Sequence, residues 1–357
     1  MNPDGDLAAL AADPAYGATI DALRADPQRW LVTGAAGFIG SHLVEALLEA
    51  GQRVVGLDDL STGFRANLED VARRVGTAAF ARFEFREGDL RDAAAVAAAV
   101  EGADVVLNHA ALVSVPQSID DPWRAHEVNT TGFLNVLDAA RHAGVARVVY
   151  ASSSAVYGDD DAPTKTEGRL GRSLSMYAAT KAANEHYATA YAQAYGFTAV
   201  GLRYFNVFGS RQDPNGAYAA VISAWIDRLA RGEPCAVHGD GLQTRDFCHV
   251  SNVVGANLLA ATTPARADLE PAFNVGTGHA TTLVELFEVL RDALVAAYPE
   301  RAHLRHAEPV YGPPRAGDVR HSCADVGLAE RRLGFRPAVS IREGLDRTLG
   351  WYLRDAG

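Results

Sequence analysis

The sequence predicts a doubly wound α/β fold, a parallel sheet covered by helices on both faces, with a smaller C-terminal α/β lobe. Three observations carry this. Short apolar runs alternate with longer helical stretches, a glycine triplet joins the first run to the first helix, and the alternation decays beyond residue 205. The runs Trp30–Thr33, Arg53–Leu57, Phe83–Arg86, Asp104–Asn108, Arg147–Ala151 and Thr198–Leu202 each predict a strand. Between them, Phe38–Ala50, Asp92–Val100, Pro122–His142 and Ser175–Tyr195 predict helices. Continuous apolar strands separated by helices indicate a parallel sheet buried on both sides. Gly51 and Gly144 follow two of these helices, where a left-handed cap residue is expected.

The glycine triplet is Gly34-Ala-Ala-Gly37-Phe-Ile-Gly40. Gly34 permits a tight turn, Gly37 admits a pyrophosphate against the backbone, and Gly40 allows close helix–strand packing. The backbone N–H groups of Phe38 and Ile39 then open the helix toward the anion. Placed between first strand and first helix, this is a dinucleotide site on a Rossmann-type sheet. Asp58 ends the second strand, where a carboxylate grips ribose hydroxyls and repels a 2′-phosphate, so NAD is expected over NADP. Asp89 and Leu90, after the third strand, are candidate adenine contacts; Asp89 also suits a helix N-cap. The expected division is a helical extension over 1–28, an NAD-binding domain over 29–204 and 242–276, and a second lobe over 205–241 and 277–357.

Tyr177 and Lys181 lie four apart on a predicted helix and so share a face. A free phenol has a pKa of about 10; a nearby ammonium and a positive nicotinamide would lower it into the range of a useful base. Ser152, Ser153 and Ser154 stand at the C-terminal end of the fifth strand, where ligands of open α/β sheets bind. One of these hydroxyls can share a substrate proton with Tyr177.

Composition narrows the partners. The 357 residues are 48% hydrophobic and 22% charged, with a formal net charge of −11. A negative field disfavours nucleic acid and anionic membrane surfaces. Three scattered cysteines, Cys235, Cys248 and Cys323, fit a reducing cytoplasm better than a disulfide scaffold. The acidic start, with Asp4, Asp6, Asp13, Asp21 and Asp26, does not read as a basic leader but as a short helical piece packed on the core. The 11 histidines form no HxxxH pattern, so no metal is expected.

Several longer stretches give the chain a resemblance. They are Asn108-His-Ala-Ala111, Val128-Asn-Thr-Thr-Gly132, Leu202-Arg-Tyr-Phe-Asn-Val-Phe-Gly209, Arg211-Gln-Asp-Pro-Asn-Gly-Ala-Tyr-Ala-Ala-Val-Ile222, Thr244-Arg-Asp-Phe-Cys-His249 and Gly317-Asp-Val-Arg-His-Ser322. With the serine run and the Tyr/Lys pair, they resemble the extended short-chain dehydrogenases/reductases. The likeness is to the UDP-hexose 4-epimerase family, in particular its bacterial branch acting on UDP-N-acetylglucosamine.

The resemblance implies C4 epimerisation of a UDP-sugar through a transient 4-keto sugar, with tightly bound NAD. It makes Tyr177 the base, Lys181 its electrostatic partner and ribose anchor, and Ser153 the helper hydroxyl, with Ser154 in the pocket. Ala110 and Asn129 would border the cofactor. Asn206, Arg245, Arg315 and Asp318 would hold the nucleotide sugar, and Gln212, Ala220 and Ser322 would border the hexose. A small Ser322 leaves room for an acetamido group. Val113 and Ala155 depart from that branch, which has glycine and serine there, so plain sugars or an N-acetylated uronic acid stay open. A 4,6-dehydratase would need an Asp-Glu pair where Ser154 and Ala155 stand. A UDP-glucuronate epimerase or decarboxylase needs a cation for the carboxylate, for which Arg172 and Arg211 are candidates. A homodimer through the helices 122–142 and 175–195 is also implied.

Overall fold

The computed structural model describes residues 5–214, 221–264, 270–314 and 319–352. Seven parallel strands form the main sheet. They are β1 (Arg29–Thr33), β2 (Arg53–Asp58), β3 (Phe83–Glu87), β4 (Val105–Asn108), β5 (Arg147–Ser153), β6 (Ala199–Tyr204) and β7 (Ala272–Val275). Their order is β7-β6-β5-β4-β1-β2-β3. The chain therefore reverses direction across the sheet between β1 and β4, and the crevice at their C-terminal ends is where such sheets take ligands. β1, β4 and β6 are nearly or wholly buried, which is why they read as unbroken apolar runs.

One face of the sheet buries Leu43, Leu47, Val253 and Phe273 beneath the helices Phe38–Glu49 and Val250–Thr262. The other buries Val96, Phe133, Leu137 and Ala188 beneath Ala93–Val100, Gly132–His142 and Met176–Tyr195. Gly51 and Gly144 do take positive φ, at 83° and 73°. The predicted helix over 122–142 is continuous but carries a π-helical turn, Glu127–Thr131. Single π-turns inside α-helices often mark functional sites.

The second lobe has its own core, in which Trp225, Phe287, Leu290 and Leu345 pack between Val221–Ala230, Leu283–Ala297 and Ile341–Tyr352. A four-stranded sheet joins the lobes: Thr281–Thr282, Thr244–Arg245, His321–Ala324 and Thr164–Lys165, in that order. Thr244–Arg245 pairs with Thr281–Thr282 and His321–Ala324, and Phe247–His249 pairs in parallel with Asn206–Phe208. Thr164–Lys165 reaches the small sheet from within the large domain, an excursion too short to leave a periodic signal. The acidic N-terminal segment forms two helices, Asp6–Leu10 and Pro14–Ala25, burying Leu7, Leu10, Tyr16, Ile20 and Leu23.

Candidate active site

The loop after β1 is built around its glycines. Gly34 sits at φ 68°, and a Cβ there would lie 2.8 Å from the Ala110 nitrogen. A Cβ on Gly40 would fall 1.9 Å from the Gly34 carbonyl oxygen, so helix and turn approach only because residue 40 is glycine. Gly37 opens the helix Phe38–Glu49 with no side-chain cap. A capless helix start offers N–H groups and a partial positive charge to an anion. Asp58 ends β2 and accepts hydrogen bonds from the Ala36 N–H at 2.9 Å and the Leu60 N–H at 2.8 Å. Burial raises its pKa, opposed by these N–H groups. A carboxylate oxygen has a further lone pair, which leaves Asp58 able to accept from ribose hydroxyls. The cradle and its acid fit NAD.

Behind the loop, Thr33 Oγ1 donates to Asn108 Oδ1 at 2.7 Å and accepts from the His109 and Ala110 N–H groups, tying the ends of β1 and β4 together. Asp89 is not a helix cap. Asp92 caps Ala93–Val100, while Asp89 pairs with Arg91 and lines a cavity of about 510 Å³ with Arg91, Asp92, Glu127 and Thr131. Leu90 is buried, and its carbonyl accepts from Asn135. Asn129, in the π-turn, brackets Leu112 by accepting from its N–H at 2.7 Å and donating to its carbonyl at 2.9 Å. It also donates to Thr180 Oγ1 at 3.1 Å, so its amide holds the loop after β4 against the helix of Tyr177 and Lys181.

The reacting groups converge. Ser175 caps the helix that presents Tyr177, and the Ser153 hydroxyl at the end of β5 lies close enough to the phenol to favour its charged form. The Lys181 ammonium lies 5.8 Å from the Tyr177 ring centroid and donates to the Ala151 carbonyl at 2.8 Å. Of the three serines, Ser152 is committed elsewhere: it is buried and donates to Glu185 at 2.6 Å, within a bidentate Glu185–Arg203 pair. Ser154 is half-buried in the short 3₁₀ turn that follows.

Without the nicotinamide, burial raises the Tyr177 phenol and outweighs the opposing effect of the nearby Ser153 hydroxyl. Burial also brings Lys181 down to about 8. Any lowering of the phenol therefore needs the cofactor's positive ring.

Among the substrate candidates, Asn206 is exposed, and Arg245 and Ser322 are partners in a parallel ladder. Ladder partners point to one face, so the two side chains are neighbours. The Gln212 side chain donates to the Val207 carbonyl at 3.1 Å. Val113 is 63% exposed. Ala220, Arg315 and Asp318 lie outside the described residues. Reading the residues alone missed Asp246. It is fully buried and takes the N–H groups of Thr277, Gly278 and Ala324, which fixes Arg245 beside the strand of Ser322. Its only sequence signal was its place in the Thr244–His249 stretch. The two cations considered for a uronate are engaged: Arg211 with Glu45 and Asp70, and Arg172 with Asp159.

Among the described residues no group of side chains could hold a metal, and no helix is long and apolar enough to cross a membrane. The three cysteines are buried and free.

Fold and site together define an enzyme of the short-chain dehydrogenase/reductase class, with a dinucleotide cradle facing a Ser/Tyr/Lys centre. More narrowly, the chain belongs to the NAD dependent epimerase/dehydratase family, whose match spans residues 30–276. It is 39% identical over 326 residues to a UDP-glucose 4-epimerase of Mycolicibacterium smegmatis, covering 91% of this chain and 98% of that one. Among solved structures it resembles the UDP-N-acetylglucosamine 4-epimerase of Methanobrevibacter ruminantium in complex with UDP-N-acetylmuramic acid, at 34% identity and a TM-score of 0.82. That match covers 92% of this chain and 99% of that one. It also resembles the Thermus thermophilus UDP-glucose 4-epimerase in complex with NAD, at 37% identity and a TM-score of 0.76, covering 92% and 100%.

Proposed function

We propose that this chain is an NAD-dependent UDP-sugar 4-epimerase whose preferred pair is UDP-N-acetylglucosamine and UDP-N-acetylgalactosamine, working as a homodimer. Bound NAD supplies a reversible hydride acceptor, and the protein supplies position and proton handling. Tyr177 takes the proton from the sugar's C4 oxygen and later returns it. Ser153, beside the phenol, holds that oxygen against it. Lys181 keeps a positive charge beneath the pair. The lobe residues Asn206 and Arg245 grip the nucleotide end, which leaves the hexose free to turn over.

The observation that carries the choice of sugar is Ser322. It stands beside Arg245 in the joining sheet, so the small side chain borders whatever Arg245 anchors. The competing uronate reading needs an available cation, and both candidates are already ion-paired.

The test is to incubate the purified protein with UDP-N-acetylglucosamine without added cofactor and follow the sugar by NMR. The acetylated galactosamine epimer is expected to form. Ser322→Tyr should lose this reaction by roughly ten- to a hundredfold while keeping that of UDP-glucose, from about 1–3 kcal/mol of overpacking. Equal loss on both sugars would remove Ser322 as the gatekeeper.

A further inference from the structure

The family match begins at residue 30, after the two N-terminal helices, yet these helices bring a buried carboxylate to the boundary between the lobes. Asp6 is 6% exposed. Its Oδ2 lies 2.7 Å from His42 Nδ1, and its Oδ1 accepts from the Ser251 hydroxyl at 2.6 Å. Across the ring, His42 Nε2 lies 3.0 Å from the Ser210 carbonyl oxygen. A carbonyl only accepts, so Nε2 donates to it, and the ring bridges the Asp6 carboxylate and the Ser210 backbone. Burial raises the Asp6 carboxyl, but the His42 charge and the bonds from His42 and Ser251 hold it well below the ordinary range.

Ser210 belongs to the loop Gly209–Gln212, where the chain passes from the large sheet into the second lobe. A Cβ on Gly209 would lie 2.6 Å from Val250 and 3.4 Å from Phe38, so the loop runs tightly against both helices. Arg211 stands at φ 63°, unusual for a non-glycine residue, and its guanidinium is tied to Glu45 and Asp70. His42 and Glu45 occupy one face of the helix that Gly37 opens. Two successive loop residues are thus fastened to the helix that starts the cofactor cradle, and Asp6 sets the ring of one fastening. The N-terminal helices already bury five large apolar side chains, so a carboxylate is not needed to dock them. A buried charge costs free energy unless it is paired and hydrogen-bonded, as Asp6 is by His42 and Ser251.

We propose that Asp6 is a positioning residue for the nucleotide-sugar site, acting through His42 to fix the loop Gly209–Gln212. The proposal rests on the reading of the second lobe as the UDP-sugar lobe.

The test measures UDP binding by calorimetry on the NAD-loaded protein. It compares wild type, Asp6→Asn, His42→Gln, the double variant, and Tyr16→Phe. Tyr16 donates to the Arg336 carbonyl at 2.6 Å and so anchors the same helices away from His42. Asp6→Asn should weaken UDP binding about five- to tenfold, as for loss of a charge-assisted hydrogen bond, and raise the sugar KM in parallel. The kcat should stay within about twofold and NAD content should not change. Adding Asp6→Asn to His42→Gln should weaken binding no further. Tyr16→Phe should lower Tm without moving UDP affinity. Wild-type affinity in Asp6→Asn, or an equal loss in Tyr16→Phe, would overturn the proposal alone. Absence of UDP binding by the wild type would overturn the UDP-sugar reading, and this proposal with it.

Discussion

At the scale of single residues, the centre is held in a state that folding alone does not favour. Lys181 is buried, its ammonium has one carbonyl partner, and burial depresses its pKa to about 8 from an ordinary 10.5. Below pH 8 the folded chain carries the whole cost of that charge. Between 8 and 10.5 the unfolded chain keeps its proton while the folded one releases it, so stability rises with pH. The full gain is on the order of 3 kcal/mol. Lys181→Met should therefore be more stable than wild type near pH 7, with the difference shrinking toward pH 10; urea unfolding at both pH values measures it. A difference that stays constant with pH would mean that Lys181 is not desolvated in the folded chain. Loss of stability for function is common at working sites. Spacing puts Tyr177 and Lys181 on one face and strand-end placement puts the serine run beside them, because both signals are local. The choice of Ser153 among the three serines rests on the resemblance, and only the distant Glu185–Arg203 pair shows where the Ser152 hydroxyl goes.

At the scale of elements, the π-turn Glu127–Thr131 does for the site what no cap or periodicity could announce. The extra residue in the turn accompanies an inward Asn129, whose amide mimics a strand partner for Leu112 and reaches Thr180 one turn from Tyr177. The sequence showed an uninterrupted helical pattern over 122–142 because a π-turn keeps apolar spacing on both sides. It also marked Asn129 as a cofactor neighbour, and the amide of that residue ties Leu112 to Thr180. Strands β1 to β6 were legible to within two residues, as buried runs bounded by turns. The two-residue strands of the joining sheet were not, because so short an element has no period. Asn129→Ala would strand the buried Leu112 N–H and carbonyl, at about 1–3 kcal/mol for each unsatisfied group. The expected outcome is a lower urea midpoint together with a reduced kcat, as the loop and the Tyr177 helix lose their tie. Unchanged kcat in a destabilised variant would confine Asn129 to stability.

At the scale of the whole molecule, the apolar surface is unevenly spread. Val115 and Ile119 lie on Val115–Asp120, and Trp123 on Pro122–His126, the last 76% exposed. Both short helices pack against Met176–Tyr195, which itself exposes Met176, Tyr187 and Tyr195. A tryptophan left three-quarters in water gives up most of the gain available to a large aromatic side chain, and grouped apolar exposure of this kind marks an association surface. Chains of this net charge, −11, repel at long range, so pairing depends on such a patch outweighing the repulsion. A second copy meeting this helical face would bury the same residues twice about a two-fold axis, and each substitution counts twice in a dimer. Trp123→Asp is therefore expected to shift a dimer to monomer in sedimentation velocity at micromolar protein, with the far-UV spectrum unchanged. Raising salt should strengthen wild-type pairing, because it screens the repulsion and leaves the apolar contact. A wild type that sediments as a monomer throughout, or a Trp123→Asp variant that still pairs, would place the association surface elsewhere or remove it.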